Sequence, residues 1–144
     1  MSSHLRICFQ LAQAQGAYPP VSVENIWAMP TDKGEYVLDN IPFFTRQATF
    51  GDTVSATLGE DGRLWFTKVV RESGNSLIRV VFFDLARIAE VRRDLEALGC
   101  DTELSKNLVA VNIPSTTSLA DVQRYLGGKA AQGWIDYEEP ILRQ

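Results

Sequence analysis

Residues 77–99 read LIRVVFFDLARIAEVRRDLEALG, and the period of the apolar residues changes within this stretch. Its first seven residues predict a strand, Leu77 to Phe83. Asp84 then stands where a helix N-cap is expected, and Gly99 stands where a helix ends. Between them apolar residues recur at spacings of three and four, which predicts an amphipathic helix: Leu85, Ile88, Val91, Leu95 and Leu98.

The rest of the second half continues this alternation. Two short strands joined by a turn are predicted within 101–113, and Ser118 and Asp121 have the spacing of a capping box at the start of a second helix. Residues 134–142 close the chain as a strand, and Pro140 within it predicts an edge position. The order strand, helix, strand, strand, helix, strand is that of the ferredoxin-like split arrangement.

The first half is predicted to be strands separated by turns. The predicted strands cover 5–12, 23–29, 35–38, 52–58 and 63–71. Short strands with tight turns are typical of a small β-barrel or a bent antiparallel sheet. The fold prediction is therefore α+β, with a β-rich, barrel-like subdomain over 1–75 fused to a ferredoxin-like subdomain over 76–144, the two sharing one continuous core. Trp27, Trp65 and Phe66 lie in strand patterns and are predicted to be core residues.

Composition and charge exclude several classes of protein. The 144 residues are 45% hydrophobic and 22% charged, which rules out collagen-like and disordered chains. Fourteen basic against 18 acidic residues give a net charge of −4, which disfavours nucleic acid as a partner. No apolar run is long enough to predict a membrane span. We therefore expect a cytoplasmic protein that does not bind membranes.

The residues needed for common catalytic and metal sites are scarce. The single histidine, His4, lies in the first few residues, where it is not expected to serve a catalytic triad. The two cysteines, Cys8 and Cys100, match no zinc or redox spacing, and Cys100 follows a helix end that would raise the pKa of its thiol. The sequence predicts neither an enzyme nor a cofactor or metal site.

The C-terminal strand carries the leading candidate site. It interleaves aromatic residues with carboxylates, a combination that suits a basic protein partner. The candidate residues are Trp134, Asp136, Tyr137, Glu138 and Glu139. The leading hypothesis is a non-enzymatic protein-binding module, an immunity-type inhibitor that occludes the active site of a basic bacterial toxin domain. The simpler interpretation is a solvated edge whose charges prevent aggregation.

A second candidate site lies in the loop that follows the third predicted strand. Here a small-molecule sensor would hold its ligand between the two halves of the chain, near Asp39, Asn40, Phe43 and Asp52. A third hypothesis, an enzyme dependent on Asp39 and Asp52, needs both carboxylates to face one pocket. Asp beside Asn or Gly is more often a turn former.

The first half also resembles a known family. The resemblance rests on Glu24, Trp27, Gly34-Glu35-Tyr36, Asp39-Asn40-Ile41-Pro42-Phe43, Gly51-Asp52, Gly62, Leu64, Phe66, Gly74 and Ile78-Arg79-Val80. On these residues the chain resembles DUF4265, a bacterial family classed as a domain of unknown function, from about Glu24 to the C-terminal strand. The resemblance implies a small bacterial cytoplasmic protein, and it brings no established activity or catalytic residues.

Overall fold

The chain forms mostly antiparallel sheets with two helices, which confirms the predicted α+β class. The structure is a computed structural model and describes residues 4–12 and 19–144. It divides into two compact units, Met1–Ser73 and Gly74–Gln144. Each unit has its own sheet and its own cluster of buried apolar side chains. The continuous core expected from the sequence stays a prediction.

The first unit is a closed ring of five strands. They are β1 (Leu5–Gln10), β2 (Val23–Pro30), β3 (Tyr36–Leu38), β4 (Thr53–Leu58) and β5 (Leu64–Arg71). Consecutive strands pair antiparallel, and β5 returns to pair in parallel with β1. Gly62 has a φ of 79° in the turn between β4 and β5, a conformation that glycine adopts without strain.

Strand β1 shows why the ring has a distinct inside and outside. Ile7 and Phe9 are fully buried, and the Phe9 ring stacks on Phe66 with the ring centres 4.5 Å apart. Arg6 precedes Ile7, so its side chain points to the opposite face of β1, and it pairs with Trp27 of β2. Because directly opposite residues in a sheet share a face, Trp27 points outward with Arg6 and is 40% exposed. The prediction that Trp27 is a core residue was wrong.

The second unit is a four-stranded sheet with two helices. Its elements are β6 (Ser76–Phe82), a 3₁₀ turn (Leu85–Arg87), α1 (Ile88–Ala97), β7 (Asp101–Ser105), β8 (Leu108–Ile113), α2 (Leu119–Ala131) and β9 (Ile135–Ile141). The strand order is β7-β8-β6-β9, so β9 is an edge strand, as Pro140 predicted. Both predicted N-caps are confirmed, since Asp84 accepts the N–H of Ala86 and Ser118 that of Asp121.

The core of the second unit lies between one face of the sheet and the helices. Alternate residues of β6, namely Ile78, Val80 and Phe82, are at most 2% exposed and cluster with Val91 and Leu95 of α1 and with Val122 and Leu126 of α2. Neither helix, nor any other in the described part of the chain, is long and apolar enough to cross a membrane.

Candidate binding surfaces

The three carboxylates of the predicted acidic site lie on the edge strand β9, on different sides of it. Asp136 and Glu138 pair with Val81 and Arg79 of β6 and face away from the helix-side core. The carboxylate of Glu138 is 3.4 Å from the guanidinium of Arg79, which is only 2% exposed. Glu139 instead accepts a hydrogen bond of 2.5 Å from the side chain of Gln123 in α2. The strand therefore carries negative charge along its exposed edge.

The two aromatic residues of that site pack in part against the second unit's core. Trp134 lies just before β9, and the cations of Arg87 and Lys129 lie 3.9 Å and 4.6 Å from its ring centre. Trp134 and Tyr137 both pack against the core cluster and are half-buried. The sequence alone did not separate these two aromatic residues from the three carboxylates, because all five lie within residues 134–139.

In the loop predicted to hold a small molecule, three of the polar groups bind the protein's own atoms. Asp39 accepts a hydrogen bond of 2.6 Å from His4. The side-chain oxygen of Asn40 accepts the backbone N–H of Trp27 at 2.9 Å. The backbone N–H of Phe43 donates to the carboxylate of Glu24 at 2.7 Å. The contacts of Asn40 and Phe43 hold the loop onto β2, and that of Asp39 links it to the residue before β1.

Asp52, the fourth of these residues, is fully buried. One carboxylate oxygen accepts the N–H of Thr49 and the other accepts the N–H of Ser73, both at 2.9 Å. A backbone N–H that is removed from water needs a hydrogen-bond acceptor. Through these two hydrogen bonds Asp52 ties the loop before β4 to Ser73, the last residue of the first unit. Asp39 is exposed while Asp52 is buried, so the arrangement does not resemble two carboxylates facing one pocket.

Glu24 is a structural residue that the sequence analysis did not single out for a role. Its carboxylate accepts the N–H groups of Phe43, Phe44 and Thr45, at 2.7, 3.1 and 2.8 Å. Three successive N–H groups on one carboxylate make charge-assisted hydrogen bonds, which are stronger than neutral ones. The DUF4265 resemblance includes this position, and its role here is to anchor the loop.

We expect Glu24→Ala to lower the free energy of unfolding by about 2–3 kcal/mol, because three part-buried N–H groups lose their acceptor. Glu24→Gln keeps one oxygen and is expected to lose about half as much. Denaturant titration of both variants measures the difference. Equal stability of Glu24→Ala and the wild type would contradict the anchoring role.

The outer face of the first unit carries a groove that the sequence did not predict. It has a volume of about 340 Å³ and is lined by Leu5, Arg6, Cys8, Asn25, Gly62, Arg63 and Leu64. The rings of Trp27 and Trp65 carry the guanidinium groups of Arg6 and Arg63 at 4.7 Å and 5.0 Å. The alternation of Arg6 and Cys8 with apolar residues in β1 marks this face in the sequence, but which strands flank β1 does not follow from it.

Neither cysteine has the features of a nucleophile. Both are free and buried. Burial raises the pKa of the Cys100 thiol to about 11, and the charge of Asp101 adds to the shift. The raised pKa has the predicted direction, but its causes are desolvation and the charge of Asp101 rather than the helix end. Among residues 4–12 and 19–144, no three or more metal-ligating side chains form a group that could hold an ion.

Comparison with known proteins adds a fold relative and a family. A structure described as "Novel crystal structure of a hypothetical protein from Neisseria gonorrhoeae" is similar, with a TM-score of 0.81 and 21% sequence identity over 100% of this chain and 97% of that one. At this identity the likeness concerns the fold alone. No curated protein matches the chain. The model of the family "Domain of unknown function (DUF4265)" matches residues 24–137, a range that includes the loop anchored by Glu24. The chain therefore belongs to this family.

Proposed function

We propose that the protein is a non-enzymatic binding module whose strand β9 receives an extended, basic segment of another protein. The observation that carries this proposal is that β9 is a seven-residue edge strand with three exposed carboxylates. An edge strand presents backbone N–H and C=O groups to which a further strand can add. In β9 the N–H of Tyr137 is bonded to the Asp136 carboxylate at 2.8 Å and Pro140 has no N–H, so a partner strand would pair through the remaining backbone groups. Backbone pairing supplies affinity, and the side chains along the edge supply specificity.

The placement of the carboxylates supports a basic partner. Asp136 and Glu138 lie on one face of β9, and Glu139 contacts α2 on the other side. Side chains of an added strand alternate between the two faces of the sheet, so basic residues at successive positions would meet a carboxylate on either face. Such complementarity accelerates association and discriminates against acidic partners.

We propose that the protein is an immunity-type inhibitor in the bacterial cytoplasm. Its β9 edge would occlude the active site of a basic toxin domain. Small size and a net charge of −4 support the proposal. The step from acidic binder to toxin inhibitor is an analogy with other acidic inhibitors of cationic enzymes.

The test is suppression of toxicity by the protein when it is co-expressed with the basic product of the adjacent gene. The β9 variant is Asp136→Lys combined with Glu139→Lys. Glu138 is left unchanged, because its removal would take an ion-pair partner from the buried Arg79. We expect the complex to bind at least about tenfold more weakly, mainly through slower association.

A matched control has the same change in net charge on the first unit. Asp32→Lys with Glu60→Lys changes two exposed carboxylates, and it should bind and protect as the wild type does. Protection by the β9 variant equal to that by the control would show that β9 is not the binding site. If the wild type neither binds nor protects, the inhibitor proposal fails.

The alternative function is a small-molecule sensor or regulatory domain, and the groove on the outer face of the first unit is the one observation that supports it. Its predicted ligand residues Asn40, Phe43 and Asp52 are engaged within the protein. The groove lined by Arg6 and Arg63 offers an open site instead. A sensor would therefore use the outer face of the first unit.

The strand order and pairing support a more specific fold for each of the two units. We infer that the second unit is ferredoxin-like, because the strand order β7-β8-β6-β9 with helices after β6 and β8 matches the split β-α-β-β-α-β pattern. The closed pairing of β1 to β5 supports a small β-barrel in the first unit.

A further inference from the structure

We infer that the groove between Arg6 and Arg63 binds the phosphate group of a small organic molecule. The groove lies wholly on the first unit, whereas the proposed protein-binding edge lies on the second. The two proposals rest on different residues, so either can fail without the other.

The strand pairing places the groove's polar groups on one surface. Cys8 of β1 pairs with Asn25 of β2 on one side and with Trp65 of β5 on the other. Arg6 precedes Cys8 by two residues and pairs with Trp27. Residues two apart on a strand share its face, so these side chains all lie on the outside of the ring.

Arg6 is positioned but not neutralised. Its guanidinium carbon lies 4.7 Å from the centre of the Trp27 ring, a favourable cation–π distance. Within the described ranges, 4–12 and 19–144, the Arg6 side chain has no hydrogen-bonded or ion-paired partner. The Asn25 amide, which lines the same groove, likewise has none there.

Arg63 is held by Asp61 in a geometry that leaves donors available. Asp61 accepts the backbone N–H and the Nε–H of Arg63, each at 3.0 Å, and also the indole N–H of Trp65 at 3.2 Å. Only Nε of the guanidinium is used in this way, and Nη1 and Nη2 have no partner in the described part of the chain. Asp61 therefore orients Arg63 over Trp65 without occupying its terminal nitrogens.

Two guanidinium groups and one amide at a single groove match a phosphate group. Guanidinium binds phosphate oxygens through paired hydrogen bonds. Arg6 brings a positive charge, and Arg63, although ion-paired with Asp61 through Nε, still offers its terminal N–H groups to a phosphate oxygen. The indole rings of Trp27 and Trp65, which lie on the same outer face beside the two guanidinium groups, offer apolar contact to the rest of the molecule. A volume of about 340 Å³ is at the lower end of small-molecule sites.

The experiment is calorimetric titration of the full chain with phenyl phosphate, and in parallel with benzoate and a short single-stranded RNA. The test variant is Arg6→Gln with Arg63→Gln. The control is Lys68→Gln with Arg71→Gln, which removes two exposed positive charges from β5, the strand that follows Arg63. We expect phenyl phosphate to bind with a Kd below about 10 mM, and the test variant to weaken it at least about tenfold while the control stays within about twofold.

Four results would overturn the assignment. The first is no phenyl phosphate binding at about 10 mM, and the second is the same affinity in the test variant as in the wild type. Benzoate binding at least as tight as phenyl phosphate would indicate a carboxylate site. RNA binding tighter by about a hundredfold would indicate a nucleic-acid surface rather than a small-molecule site.

Discussion

Phe82→Ala is expected to lower the free energy of unfolding by about 4 kcal/mol. Phe82 is 2% exposed and is one of the largest side chains in the core of the second unit. Its truncation removes buried apolar area and leaves a cavity that the well-packed sheet and helices fill only in part. Denaturant titration, with the circular dichroism of the helices as the probe, measures the shift in midpoint.

The neighbouring residue is a matched control. Phe83 is the same residue type one position further along and is 66% exposed. Phe83→Ala is expected to change the free energy of unfolding by no more than about 0.5 kcal/mol. Similar losses in the two variants would contradict the register of β6, which turns Phe82 towards the helices.

Asp52→Ala is expected to cost about 3–5 kcal/mol, because it leaves one buried and one part-buried backbone N–H group without an acceptor. Those donors are the amides of Thr49 and Ser73, each 2.9 Å from the carboxylate. Asp52→Asn is expected to be damaging as well, since its NH₂ group would face one of the two N–H donors. The free energy of unfolding from denaturant titration tests both substitutions.

The outcome also separates a structural role from a ligand-binding role for Asp52. Asp32→Ala, at an exposed position, is the control and should stay within about 0.5 kcal/mol of the wild type. If Asp52→Ala is as stable as this control, the structural assignment is wrong. A stable Asp52→Ala variant that has lost binding of a metabolite would restore the ligand site first predicted from the sequence.

Most secondary structure follows from local patterns in this chain. The period-2 alternation of β1, the spacing of Ile88, Val91 and Leu95 in α1 and the caps Asp84 and Ser118 are confirmed. The predicted stripe was too long, because Leu85 lies in the preceding 3₁₀ turn and Leu98 follows the helix, and both are exposed. Pro140 correctly predicted an edge strand, because proline cannot donate a hydrogen bond within a sheet. Each of these signals depends on residues close in sequence, which is why they could be interpreted without tertiary structure.

The candidate sites were less predictable. The sequence grouped five residues into one candidate site, and the structure divides them: the carboxylates lie on the exposed edge of β9, and Trp134 and Tyr137 are half-buried against the core. Trp27 was assigned to the core although it lies outside the ring under Arg6. An aromatic residue in a strand pattern fits either face equally well, and only the pairing register decides between them.

The sequence by itself determined the α+β class, the order of the strands and helices, the edge position of β9 and the family, because these depend on local periodicity and motifs. Only the tertiary structure decided that Glu24 anchors residues 43–45 and that Arg6 and Arg63 line one groove. Those contacts join residues about twenty or more positions apart. They arise from the parallel closure of β5 on β1 and the folding of the loop onto β2, which no local pattern encodes.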